Sequence, residues 1–122
     1  MSENVEIVRQ VTELLSEGNF DALFALYDPD VEFCDLRSAV DTPEVLRGVE
    51  AVKSLLGDWS EAWEGFGAQV FEYIDADPYV ICDTRWHGTG HESRIPIEVR
   101  QADVFGLRSG KITRVTLGYA ST

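Results

Sequence analysis

Gln101-Ala102-Asp103-Val104-Phe105-Gly106-Leu107, continued by Arg108-Ser109-Gly110-Lys111 and then Ile112-Thr113-Arg114-Val115-Thr116-Leu117, decides how this chain folds. Apolar residues alternate on both sides of Ser109-Gly110, the pattern of a strand, a tight turn and a partner strand. Counting by twos from Ile97 puts Val99, Gln101, Asp103, Phe105 and Leu107 on one face, with Glu98 and Arg100 on the other. Asp103 therefore shares a face with the core. A carboxylate among apolar neighbours is costly unless it is paired, neutral or beside a solvated cavity, so this face predicts a hollow.

Working upstream, Ala68 to Asp75, Tyr79 to Gly88 and Arg94 to Leu107 read as strands, turned at Asp77-Pro78 and at Gly88 to Ser93, and Lys111 to Tyr119 completes the sheet. Alternation sets Val80, Cys82, Thr84 and Trp86 on the pocket side of the second of these strands. Ile81, Asp83, Arg85 and His87 take the other side, where Asp83 and Arg85 can pair with a neighbouring strand. The N-terminal half is helical. Ile7, Val8, Val11, Leu14 and Leu15 recur at spacings of three and four, and Gly18 terminates that helix. Asn19 caps a second, short helix whose apolar band runs from Phe20 to Tyr27 and is stopped by Asp28-Pro29-Asp30. Val31 to Asp35 alternates as a strand, with Asp35 on the face of Val31 and Phe33. Leu36 to Asp41 reads as a loop, Thr42-Pro43-Glu44 as a helix start, and Val49, Val52, Leu55, Leu56, Trp59 and Trp63 as a third helix ending near Gly65 or Gly67.

Helices followed by antiparallel strands, with no repeat or linker, predict a single α+β domain over residues 1–122. Its concave side is the expected ligand site. The formal charge of -12 repels phosphate backbones and anionic lipid, which argues against nucleic-acid and membrane partners. No apolar run approaches bilayer length, the N-terminus lacks a secretory pattern, and Cys34 and Cys82 are isolated thiols, so the expected compartment is the cytoplasm. His87 and His91 are too poorly placed on a strand and turn to predict a metal site, and no phosphate loop or nucleophile elbow is present. No cofactor is expected.

Four stretches resemble the nuclear transport factor two-like superfamily, in particular its SnoaL-like and ketosteroid-isomerase-like members. They are Glu17-Gly18-Asn19-Phe20-Asp21-Ala22-Leu23, Leu26-Tyr27-Asp28-Pro29-Asp30-Val31-Glu32-Phe33, Arg47-Gly48-Val49-Glu50-Ala51-Val52, and Asp103-Val104-Phe105 leading to Ser109-Gly110-Lys111-Ile112. The resemblance implies a cone-shaped, mostly antiparallel mixed sheet closed by three helices from the N-terminal half, a homodimer, and one deep apolar pocket per subunit. It puts Asp35 where ketosteroid isomerases keep the proton-moving base, Asp103 where they keep a neutral acid that donates to the enolate oxygen, and Tyr27 where a tyrosine supports the pocket. Val11 replaces the oxyanion tyrosine and Leu56 a second tyrosine. Losing one oxyanion donor typically costs roughly a hundred- to a thousandfold in rate, which argues against steroid isomerisation itself. Asp83-Thr84-Arg85 and Gly118 likewise depart from the limonene-epoxide-hydrolase pattern.

The expected catalytic pair is thus Asp35 as base and Asp103 as acid or hydrogen-bond donor, in an isomerase- or polyketide-cyclase-like proton transfer on an apolar carbonyl compound. The plain alternative for each is a strand-end or sheet-bonded aspartate without chemistry, in a binding or dimerisation module. Expected ligand contacts are Tyr27, Phe33, Leu56, Trp59, Trp63, Cys82, Thr84, Trp86, Val99, Gln101 and Phe105. The aromatic members could instead be core packing.

Overall fold

The computed structural model describes residues 2–36 and 45–119. Helix α1 (Glu3–Glu17) starts where Ser2 Oγ accepts from the Val5 N–H at 3.1 Å and ends at Gly18, whose φ of 75° suits a residue without a Cβ. Helix α2 (Phe20–Phe24) is capped by Asn19, whose Oδ1 accepts from the Ala22 N–H. Next come strand β1 (Tyr27–Asp35), strand β2 (Val45–Arg47) and helix α3 (Val49–Ala62), then β3 (Trp63–Ala76), β4 (Tyr79–Gly90), β5 (Pro96–Arg108) and β6 (Lys111–Tyr119). The six strands form one curved sheet in the order β2-β1-β6-β5-β4-β3, with β1 and β6 parallel and the other neighbours antiparallel. The sheet is open, since β2 and β3 are its edges.

Three expectations shift. The second helix stops at Phe24 because the sheet captures the residues after it: the Ile112 N–H donates to Leu26 O at 2.9 Å and Tyr27 pairs with Ile112. Asp28-Pro29-Asp30 accordingly lies within β1 instead of stopping a helix, at the break in β1–β6 register between Tyr27 and Glu32. Proline has no N–H to give a ladder, and such a break tolerates it. The proposed helix start at Thr42-Pro43-Glu44 and most of the loop before it lie outside the described residues, and Val45–Arg47 is extended against β1. The third helix ends at Ala62, with Trp63 already extended at φ -126° and ψ 130°. Gly65, read as a helix stop, carries the left-handed φ of 66° inside a register shift of β3 on β4. The tryptophan pair is therefore split between a helix end and a strand start.

The core lies between the inner face of the sheet and the helices, with Val8 and Val11 of α1, Val52 and Leu56 of α3, and Val31, Val80, Ile112 and Val115 of the sheet all buried. Hydroxyls pin α1 to the edge strand: Ser16 Oγ accepts from the Ala68 N–H at 3.3 Å, and the Thr12 and Tyr73 hydroxyls lie 2.9 Å apart. On β4 the predicted alternation holds from Val80 to Thr84, with Val80, Cys82 and Thr84 buried, but His87, expected on the opposite side, lines the same inner-face hollow as Trp86. Asp83 accepts two hydrogen bonds from Arg100, and Arg85 pairs with Glu98, on the opposite face.

Candidate functional site

Two hollows open along the inner face. The outer one, about 230 Å³, is walled by Trp59, Trp63, Phe66 and Trp86, floored by Val99, Gln101, Ile97 and Leu117, and completed by Asp35, His87 and Gly88. The inner one is a cavity of about 30 Å³, room for little more than a water molecule, lined by residues that include Tyr27, Phe33, Leu56, Thr84, Asp103 and Phe105. Trp59, Trp86 and Leu117 line both and divide them.

Asp35 owes its place to strand period: Val31 and Phe33 are buried, and two residues further on the chain emerges at the outer hollow opposite Leu117 of β6. Asp103 belongs to the inner cavity and is 1% exposed. Its carboxylate accepts from Trp86 Nε1 at 2.8 Å, Gln101 Nε2 at 2.7 Å and the Gly118 N–H at 3.1 Å. The last donor exists because β6 bulges there. Register slips between Ala102 and Val104, and Gly118, at φ 94°, turns its N–H out of the ladder towards the side chain. Burial raises the Asp103 pKa above the usual carboxylate range, and the hydrogen bonds from Trp86, Gln101, Gly118 and Thr84 pull it partly back. The same burial, with Asp103 next to it, pushes the Cys82 thiol up to about 12. Burial also raises the Tyr27 phenol.

Of the expected ligand contacts, Trp59, Trp63, Trp86, Val99 and Gln101 meet at the outer hollow with Asp35. Tyr27, Phe33, Leu56, Thr84 and Phe105 line the inner cavity, while Cys82 is fully buried and lines neither. The two acids do not line the same hollow: Trp86 and Gln101, which face the outer one, carry the hydrogen bonds to Asp103. Sequence reasoning missed Phe66, His87, Gly88, Ile97 and Leu117 on the outer hollow. Ile97 and Leu117 were legible from alternation. Phe66 was not, because the bulge at Gly65 sets its direction, and it stacks on Trp86 with centroids 5.5 Å apart. His87 places Nδ1 3.1 Å from Gly65 O, and its ring lies where a Cβ on Gly67 would crowd it. A carbonyl only accepts, so Nδ1 carries the proton.

Among the described residues no helix is long and apolar enough to cross a membrane. The fold is found in a protein of the nuclear transport factor two-like group from Burkholderia pseudomallei K96243 (15% identity, TM-score 0.86, covering 98% of this chain and 92% of that one). It also recurs in a candidate polyketide cyclase from Xanthomonas campestris pv. campestris (22% identity, TM-score 0.79, covering 97% and 90%). A third similar structure is a ketosteroid-isomerase-like protein from Catenulispora acidiphila DSM 44928 in complex with trimethylamine (19% identity, TM-score 0.81, covering 91% and 82%). No curated protein matches the chain. The model of the SnoaL-like domain matches residues 8–115, most of the chain, and the chain therefore belongs to the SnoaL-like family.

Proposed function

We propose that this protein binds a flat, largely apolar small molecule in the outer hollow. The supporting observation is that all 3 tryptophans of the chain line that one space. Burying an aromatic ligand against them at roughly 25 cal/mol per Å² of apolar surface supplies useful affinity without a large polar cost. Small-molecule binding by the Catenulispora neighbour is in keeping with this reading. A homodimer formed through the outer sheet face, where Phe71, Ile74, Tyr79 and Tyr119 are exposed, is part of the same proposal.

A second reading, proton transfer of isomerase or cyclase type on a carbonyl compound, is favoured by Asp35 standing on that hollow. Asp35 would remove the proton from the carbon next to the carbonyl. Asp103 enters as a positioning residue: its oxygens accept from Trp86 and Gln101 and so orient two walls of the site. The test uses 2-acetylnaphthalene. Binding should shift the indole N–H resonances of all three tryptophans in the wild type. Deuterium exchange of the acetyl methyl in heavy water, fast with wild type and lost in Asp35→Asn, establishes the second reading. Binding without catalysed exchange leaves the binding protein alone, and no indole shift refutes both.

A further inference from the structure

We infer that the outer sheet face carries a second small-molecule site, centred on Arg114, which takes a carboxylate borne on an aromatic or other flat apolar group. It lies across the sheet from the tryptophan-lined hollow and does not depend on how that hollow is used.

Strand register builds the site. Tyr79, Gly106 and Arg114 stand in one row across β4, β5 and β6, and Ile81, Val104 and Thr116 stand in the next. Gly106 leaves the middle of the first row bare, and the Tyr79 ring and the Arg114 stem both reach over it. A Cβ at Gly106 would lie 3.3 Å from that ring and 3.4 Å from Arg114 Cβ. With Ala76 and Tyr119 at its margins, the pair of rows lines a pocket of about 280 Å³.

The polar groups of this pocket are donors that the rest of the chain does not use. Arg9, Arg47, Arg85, Arg94 and Arg100 each pair with a carboxylate. Among the described residues the Arg114 guanidinium has no hydrogen-bond or ion-pair partner. An exposed arginine alone marks no site. Thr116 supplies the second observation: it is only 8% exposed, it lines the pocket, and among the described residues its hydroxyl makes no hydrogen bond. Polar groups buried to that degree are ordinarily satisfied, so this one is left for an occupant. A guanidinium fork beside a hydroxyl is the complement of a carboxylate, which arginine holds through two parallel N–H bonds. Tyr79, Ile81 and Val104 offer the apolar remainder a surface to lie on.

Local charge agrees. The chain has 22 acidic residues, yet residues 104–122 hold Arg108, Lys111 and Arg114 and no acid at all. On the same face Asp83 is bonded to Arg100 and Glu98 to Arg85, which neutralises them. Charges more than about 8 Å away are largely screened at physiological salt, so an anion arriving at this hairpin meets its basic residues first.

Benzoate and benzamide, nearly equal in size and different in charge, test the site. Titrations followed by the Tyr79 and Tyr119 ring resonances should give benzoate about tenfold or more the affinity of benzamide. Arg114→Gln should lower benzoate affinity about tenfold and leave that of benzamide unchanged, and Thr116→Val should lower benzoate affinity about threefold or more. Equal affinities for the pair, no shift with benzoate, or benzoate binding unmoved by Arg114→Gln overturn the inference. Benzoate that shifts the tryptophan indoles and leaves both tyrosine rings still overturns it too, and puts the carboxylate in the other hollow. A dimer in sedimentation that Arg114→Gln dissociates, with benzoate bound by neither protein, overturns it and gives the pocket to a second copy of the chain.

Discussion

The inner face of this sheet carries one aspartate at its closed end and one at its open end, and the fold treats them in opposite ways. Asp103 is 1% exposed and is met by a side-chain indole, a side-chain amide and a backbone N–H. Asp35 ends a strand at the lining of a 230 Å³ hollow. A buried carboxylate must be satisfied on the spot, whereas one beside an open space keeps access to water. The closed end is thus a polar centre that organises walls, and the open end is where those walls would meet the proposed ligand.

Truncating one aromatic at each end tests this difference where the effect is largest. Phe105 is 5% exposed and lines the inner cavity, so Phe105→Ala removes most of a ring from a closed space and should cost about 3 to 5 kcal/mol in urea unfolding. Trp63 is half-buried at the outer hollow, and Trp63→Ala should cost about 1 kcal/mol or less. Equal costs would mean that the outer hollow is as much core as the inner one.

At the next magnitude, Asp103→Asn should destabilise by about 1 to 3 kcal/mol, because the new amide group turns its own N–H atoms on donors that had found an acceptor. The effect has a pH signature. The folded-state pKa of Asp103 lies above its ordinary 3.8, so the stability linked to its protonation is fully present below that value and is lost as pH rises through the folded-state pKa. The stability gap between wild type and Asp103→Asn should therefore narrow as pH is raised from about 3.8, read from urea midpoints across the series. A gap that widens would mean that the hydrogen bonds from Trp86, Gln101, Gly118 and Thr84 outweigh burial and hold the carboxylate ionised.

Much of this arrangement is legible in the chain and part of it is not. Period-two patterning gives the face of Val99, Gln101, Asp103 and Phe105 and the exit of Asp35 without any coordinates, because each depends only on local strand geometry. The end of α2 at Phe24 depends on β6, some ninety residues away, supplying partners for Leu26 and Tyr27, which no local window contains. The division of one expected pocket into two is also non-local: it arises where Trp86 on β4 and Gln101 on β5 both turn to Asp103. A strand glycine at 118 hints at a bulge, but the hint does not say that the bulge donates to Asp103.

The smallest effect on stability is expected at the open end, and it bears most directly on the comparison. Asp35→Asn keeps the shape of the side chain at a strand terminus that lines a water-accessible hollow, where polar contacts are worth tenths of a kcal/mol. Its urea midpoint should lie within about 0.5 kcal/mol of wild type, against the larger loss at Asp103 for the same chemical change. A cost at Asp35 equal to that at Asp103 would make both acids parts of the framework, and the ligand would then have to be recognised by the rings alone. A silent Asp35→Asn fold with altered ligand binding separates the two roles by one isosteric substitution at each end, since in neither case does the side chain change size.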